Sequence, residues 1–281
     1  MQQRILGKTG HSLSIVGFGG IVVMNEEPEV ASRLVAEAIA RGVNYFDVAP
    51  GYGNAEERLG PALAPYREQV FLACKTGCRD RAGAEEQLHA SLRKLQTDHV
   101  DLYQFHGVTR MEEVEQILAP DGAMEAFLNA RDAGLIHHIG FSAHSEEAAL
   151  ALLERFPFDS ILFPFNWICW HQGHFAQRVL EKATALGIGI LALKTLANHP
   201  WREGETRTWP KCWYCPTNDP DEALLATRFT LSLPVTACVC PGHAELFHLI
   251  CDTAERFTPL TAEEEAMIAR RSEGMTPIFH S

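Results

Sequence analysis

Short apolar runs alternate along the chain with longer segments in which apolar side chains recur every three or four positions. The short runs lie at 14–19, 43–47, 70–75, 100–106, 137–142, 160–165, 188–194 and 235–240. Most are apolar nearly throughout rather than alternating, which predicts strands covered on both faces. The longer segments at 28–42, 84–95, 122–134, 145–156, 174–187 and 220–233 predict helices. The first of these puts apolar residues at 31, 34, 35, 38 and 39 on one face and stops at Gly42. Ser145 followed by Glu146 and Glu147 reads as a capped helix start with acid in its first turn. Ahead of the regular pattern, residues 4–14 read as a hairpin turning at Gly7-Lys8-Thr9-Gly10. Residues 197–219 break the rhythm and predict a long loop, and 260–272 predict one further helix.

Eight strands, each followed by a helix or by a loop and a helix, favour a (β/α)8 TIM barrel with an N-terminal β-hairpin, residues 1–281 forming one domain. The rival is an open doubly wound sheet, which needs a glycine-rich phosphate turn after a strand. The one candidate turn begins at Gly17-Phe18-Gly19, and Val22 stands where the third glycine belongs. In a barrel, the 197–219 loop belongs on the face that carries active sites.

Charge narrows the partners. The formal net charge is -12 and no basic stripe is present, which argues against nucleic acid and against an anionic membrane surface. No apolar stretch reaches the ~20 residues that a bilayer requires. The opening MQQRILGKTG has no signal-peptide pattern, and the 8 cysteines fall mostly in apolar runs, so a cytoplasmic protein without disulfides is expected. Cys212 and Cys215 have zinc-type spacing, and Cys238 with Cys240 is the other pair weighed. The reading adopted is buried thiols plus a loop pair, with no metal.

In a barrel the C-terminal strand ends converge on one mouth. Asp47, Lys75 and His106 stand at the ends of the second, third and fourth strands, and Tyr52 follows Asp47 in its loop. A lone tyrosine or histidine there is ordinarily packing. A lysine ending an apolar strand must find an anion or shift its pKa, and Asp47 supplies the anion. The four together suit a proton donor built from a phenol. The lysine cation favours the phenolate, the aspartate holds the lysine charged, and the histidine hydrogen-bonds to a substrate oxygen or shares in the proton relay.

The order of blocks resembles the aldo-keto reductase family over nearly the whole chain. NYFDVAPGYGNAEERLG (44–60) is similar to the family signature, FLACKTG (71–77) to its lysine block and VDLYQFHG (100–107) to its histidine block. The resemblance implies reduction of an aldehyde or ketone with Tyr52 as general acid and Asp47, Lys75 and His106 beside it. It implies NADP(H) ahead of NAD(H), with cofactor contacts from Gly20, Ile21, Asp47, Ser142, Asn166, Lys194, Thr195, Pro241, Gly242 and Glu245. The chain departs from the family at Ala143 and Leu162, where amides are common. It also has no lysine or arginine between Cys240 and Asp252 to meet a 2'-phosphate.

Aromatic residues at 163, 165, 167, 170, 201, 209, 213 and 214, with His171, line a pocket for an apolar or aromatic carbonyl or merely pin the long loop. Both readings stay open, and the oligomeric state is open too. The rival to an enzyme is a catalytically weak barrel acting as a nucleotide-binding or regulatory protein.

Overall fold

A computed structural model describes residues 1–281. The strands β1 (Gln3–Ile5) and β2 (Ser12–Ser14) form an antiparallel hairpin. There follow β3 (Val16–Gly19), α1 (Pro28–Ala40), β4 (Tyr45–Asp47), α2 (Ala55–Leu63), β5 (Phe71–Thr76), α3 (Arg81–Leu95) and β6 (Val100–Val108). Next come α4 (Met111–Leu118), α5 (Ala123–Asp132), β7 (Ile136–Ala143), α6 (Glu146–Arg155), β8 (Ser160–Pro164), α7 (Trp167–Gln172) and α8 (Gln177–Leu186). The chain ends with β9 (Gly189–Leu193), β10 (Ala197–His199), β11 (Cys215–Pro216), α9 (Pro220–Ser232), β12 (Ala237–Val239), α10 (Ala244–Glu255) and α11 (Ala262–Ser272). No helix is long and apolar enough to cross a membrane.

Strands β3 to β9 pair in sequence order, all parallel, and β12 closes the ring between β9 and β3. Each predicted strand is present, trimmed by a residue or two in most cases. Closure explains the apolar runs. One set of side chains fills the barrel and the other packs under the helices, so neither face meets water. Ser145 accepts from the Ala148 amide at 3.3 Å, as a helix cap should.

The interior is a small separate core of Leu6, Leu13, Tyr45, Phe71, Ala73, Leu102, Leu162, Leu191 and Ala237. Leu6 and Leu13 come from the hairpin, which therefore plugs the end of the barrel opposite the mouth. Arg4 fixes the plug, donating to the carbonyls of Val235 at 2.6 Å and Leu231 at 2.7 Å.

Tyr45 is the largest side chain in this plug, and it fits because residue 17 is a glycine. A β-carbon on Gly17 would lie 2.4 Å from the Tyr45 ring. The Gly17→Ala variant is expected to lose about 1–3 kcal/mol, the usual cost of overpacking a filled core. Gly77, where added atoms meet nothing within 4 Å, is the control for Gly77→Ala. Urea midpoints measure both, and equal midpoints would refute this account of residue 17.

Candidate active site

Side chains two apart on a strand share a face. The inward set that contains Tyr45, Ala73 and Leu102 therefore also carries Asp47, Lys75, Gln104 and His106, each nearer the mouth. The same parity brings Ser142, Leu193 and Val239 to the mouth from β7, β9 and β12. Asp47, Lys75, His106, Ser142, Leu193 and Val239 line one cleft of about 440 Å³, as does Tyr52.

A buried ion pair lies at its floor. Lys75 is 1% exposed and Asp47 is 2% exposed, so both have lost their water and need protein partners. Lys75 Nζ donates to Asp47 Oδ1 and, at 3.2 Å, to the Val48 carbonyl. Asp47 Oδ2 accepts from the Tyr45 hydroxyl at 3.2 Å and from Gln104 Nε2 at 3.1 Å. Burial alone would push the Lys75 ammonium down, but Asp47 and then Tyr52 reverse this and hold it above its ordinary value. Tyr45 and Gln104 are part of the site and went unrecognised in the sequence. Their signal was present: each is a polar group two residues before Asp47 or His106 in an apolar strand.

The Lys75 ammonium sits 5.5 Å from the centre of the Tyr52 ring. Burial raises the Tyr52 pKa, and the pull of Lys75 downward does not overcome it. The phenol is thus held protonated, where the sequence argument expected a lowered pKa. The His106 ring meets Tyr52 edge to face at 5.6 Å. Burial, then Lys75, pushes His106 down to about 3, so it is neutral at pH 7 and keeps one ring N–H. Its place depends on an irregularity in β6 between Phe105 and Val108, where Gly107 takes φ +61°. The Ser142 hydroxyl accepts from the Gly107 amide at 2.8 Å and holds that bend.

The cleft is roofed by distant chain. The predicted long loop crosses the mouth as a strap, its ends paired as β10 and β11. Lys211 ties it down, donating to the Val22 carbonyl at 2.8 Å and to Glu26 at 2.7 Å. Trp201 Nε1 donates to the Cys212 carbonyl at 2.9 Å, and Trp209 packs against His243. Trp213 lies 6.1 Å from Tyr52 between ring centres. Trp213, Tyr214 and the C-terminal Phe279 surround the Lys194 ammonium at 5.7, 5.4 and 5.8 Å. Lys194 has no carboxylate partner, and burial pushes it down to about 8. It also takes φ +63°, a conformation that non-glycine residues adopt at a cost.

The aromatic question divides. Trp213 and Tyr214 line the cleft, whereas Trp201 and Trp209 pin the strap. Phe163, Phe165 and Trp167 belong to the core outside the barrel wall, and Trp170 and His171 pack on Phe229. Phe279 was not anticipated, because the tail has no periodicity to place it.

Of the residues expected to hold a cofactor, Ile21, Asp47, Ser142, Lys194, Pro241 and Gly242 line the cleft. The others do not. Gly20 makes the close approach of β3 to β4, where a β-carbon would lie 2.7 Å from Val48. Asn166 caps α7, accepting from the amides of Ile168 at 2.9 Å and Cys169 at 3.1 Å. Its amide group donates to the carbonyls of Lys194 at 3.1 Å and Ala197 at 2.8 Å, so it is fully committed. Thr195 is 1% exposed beneath the strap, and Glu245 is exposed on α10. Lys211 lines the cleft beside Gly242, with its ammonium paired to Glu26. The Cys238 and Cys240 thiols meet the Ile15 carbonyl at 3.5 Å and the Gly19 amide at 3.1 Å, and Cys240 lines the cleft with Cys212. No three of the thiols at 212, 215, 238 and 240 lie within ligand distance of one another.

A model of the aldo/keto reductase family matches residues 16–267. Among curated relatives, the uncharacterized oxidoreductase YqkF of Bacillus subtilis is 31% identical over 180 residues, covering 59% of this chain and 56% of its own. The aldo-keto reductase YhdN of the same organism is 30% identical over 185 residues, covering 59% and 54%. The chain thus spans a little over half the length of these curated relatives. The solved aldo-keto reductase AKR11C1 of Bacillus halodurans, in its holo form, is 26% identical with a TM-score of 0.77, covering 100% of this chain and 99% of its own.

The neutral histidines predict an acid limb of stability. His106 and His144 are each pushed down to about 3, so the unfolded chain binds more protons between that value and the ordinary ~6.5. Stability from this source is present above pH ~6.5 and is lost as pH falls through about 3. The His144→Gln variant is expected to show a smaller drop in urea midpoint between pH 7 and pH 4 than the parent. Equal drops would refute a buried neutral His144.

Proposed function

The chain belongs to the aldo/keto reductase family, and from that premise we propose that it reduces an aldehyde or ketone to an alcohol with a nicotinamide dinucleotide as hydride donor. The observation that carries this reading is the shared cleft wall of Asp47, Tyr52, Lys75 and His106.

The carbonyl oxygen is received between the Tyr52 hydroxyl and the His106 ring N–H. As negative charge develops on that oxygen, Tyr52 gives up its proton to it. The Lys75 ammonium then faces a phenolate, which it stabilises, and Asp47 keeps Lys75 charged throughout. His106 acts as a neutral hydrogen-bond donor, because a group pushed down to about 3 holds no second proton at pH 7. When bound, the dinucleotide supplies the hydride that goes to the carbonyl carbon.

The cleft fits such a cofactor. Lys194 is a cation without a carboxylate partner, which an anionic phosphate would satisfy. The Pro241-Gly242 turn leads into the N-terminus of α10, with Lys211 beside it. Lys211 is already paired with Glu26, so NADP(H) ahead of NAD(H) is carried over from the family. Trp213, Tyr214, Phe279 and Leu162 make the remaining surface apolar, which supports an aromatic or aliphatic carbonyl substrate.

Parallel fluorescence titration with NADPH and NADH tests the cofactor, with tighter binding of NADPH expected. No response to either nucleotide would sink the enzyme reading in favour of a barrel that has lost its cofactor. The Tyr52→Phe variant tests the acid. It should lose about 10²–10⁴-fold in kcat toward a reactive aldehyde while binding the nucleotide as the parent does. Parent-like turnover would show that the phenol is not the proton donor.

A further inference from the structure

The strap carries a second cluster of metal-ligating groups, away from the cleft wall. His199 stands opposite Cys215 in the β10–β11 pair. Glu205 reaches them from a tight turn in which its amide donates to the Arg202 carbonyl at 3.1 Å, with Gly204 at φ +77°. The ligand atoms of the three side chains all lie within 4.8 Å of one another. We infer that His199, Glu205 and Cys215 form a binding site for a zinc-class divalent cation that clamps the base of the strap.

The hydrogen bonds around His199 carry the argument. Asn198 Nδ2 donates to Glu222, and because a carboxylate only accepts, this contact fixes which way the amide faces. Asn198 Oδ1 therefore points at His199 Nδ1, 2.7 Å away, and the proton of that contact belongs to the imidazole. The other nitrogen, Nε2, faces Glu205 Oε1 at 3.1 Å. Both ring nitrogens thus meet acceptors, and a neutral imidazole has one proton to share between two bonds. A cation placed between Nε2 and the Glu205 carboxylate would satisfy both. The Cys215 thiol lies within the same group, and burial, then the negative charge of Glu205, raises its pKa. His199 Nε2, the Cys215 sulfur and the Glu205 carboxylate therefore face one small volume that a single cation would fill.

The donor set is that of zinc: imidazole nitrogen, thiolate sulfur and carboxylate oxygen, with a fourth position for water. Tetrahedral zinc places such ligand atoms roughly 3.3–3.6 Å apart, so side-chain adjustments of about 1 Å complete the site. The Glu222–Asn198–His199 relay is the outer support that metal-bound histidines ordinarily have. The other His and Asp cluster, at His99, Asp101 and His137, has no such room. Arg67 already lies 3.0 Å from Asp101 there, and the Leu72 amide donates to the same carboxylate oxygen at 2.8 Å. At the strap, Arg202 is exposed and meets Glu205 through its backbone amide at 2.9 Å. Cys212, the partner suggested by spacing alone, turns instead to the cleft.

Cobalt is the probe, used on tag-free protein stripped with chelator. The parent should bind one Co²⁺ per chain and develop the near-ultraviolet absorption of a thiolate–cobalt bond. Affinity should rise with pH, because the thiol must release its proton. The Cys215→Ser variant should lose the absorption, and His199→Ala or Glu205→Gln should weaken binding at least 10-fold. Asn198→Ala should weaken it about 10–100-fold through the outer shell. The Cys212→Ser variant should bind as the parent does. Zn²⁺ should raise the Tm of the parent and leave that of Cys215→Ser unchanged. Absence of saturable uptake, or a thiolate band that survives in Cys215→Ser, would overturn the assignment.

Discussion

A lysine and an aspartate taken wholly out of water are the constraint on which the site depends. Desolvating two charges costs more than one contact returns, unless every remaining lone pair and proton is matched. Here the matching is nearly complete. Asp47 receives Lys75, Tyr45 and Gln104, and Lys75 also reaches the Val48 carbonyl. Tyr45 can stand under Asp47 because residue 17 has no side chain, so the glycine in β3 belongs to the same arrangement. The hairpin plug then shuts the lower end with the buried Leu6 and Leu13. The sequence of dependence runs from the plug, through Tyr45 and Asp47, to Lys75 and at last to Tyr52.

Much of this was legible in the residues. Unbroken apolar runs separated by helical periodicity mean strands buried on both faces, and eight of them close naturally. Asp47, Lys75 and His106 stood out because ionisable side chains ending such runs need a reason. Tyr45 and Gln104 carried the same signal one layer deeper, but the parity that reveals it requires knowing which face points inward. The helices α2, α4, α7 and α10 escaped notice; α2 carries Pro61 inside it, and α4 and α7 are only 8 and 6 residues long. Asn166 and Thr195 illustrate the opposite limit. Their positions in the chain lie beside the cleft, yet hydrogen bonds to Ile168, Cys169 and Ala197 turn Asn166 into the wall, and the strap covers Thr195. The roof was invisible for a further reason. Phe279 reaches the mouth from the tail, and only tertiary packing determines that.

The electrostatics of the cleft run against those of the whole chain. The protein carries a formal net charge of -12. Its mouth nevertheless presents Lys75, Lys194 and Lys211, with two histidines held neutral between them. The lysines are not equivalent. Lys75 is bound to Asp47 and stays charged, which suits the phenolate-stabilising role proposed for it. Lys211 is tied to Glu26 at the rim. Lys194 has rings around it in place of a counter-ion, and burial brings it down to about 8, so an approaching anion would restore its charge fully. A low-dielectric mouth with one unsatisfied cation concentrates anions locally even on an acidic protein. The strain at Lys194 fits this picture. The backbone at Lys194 is held at φ +63° while its ammonium lies in the cleft among Trp213 and Tyr214 of the strap and Phe279 of the tail.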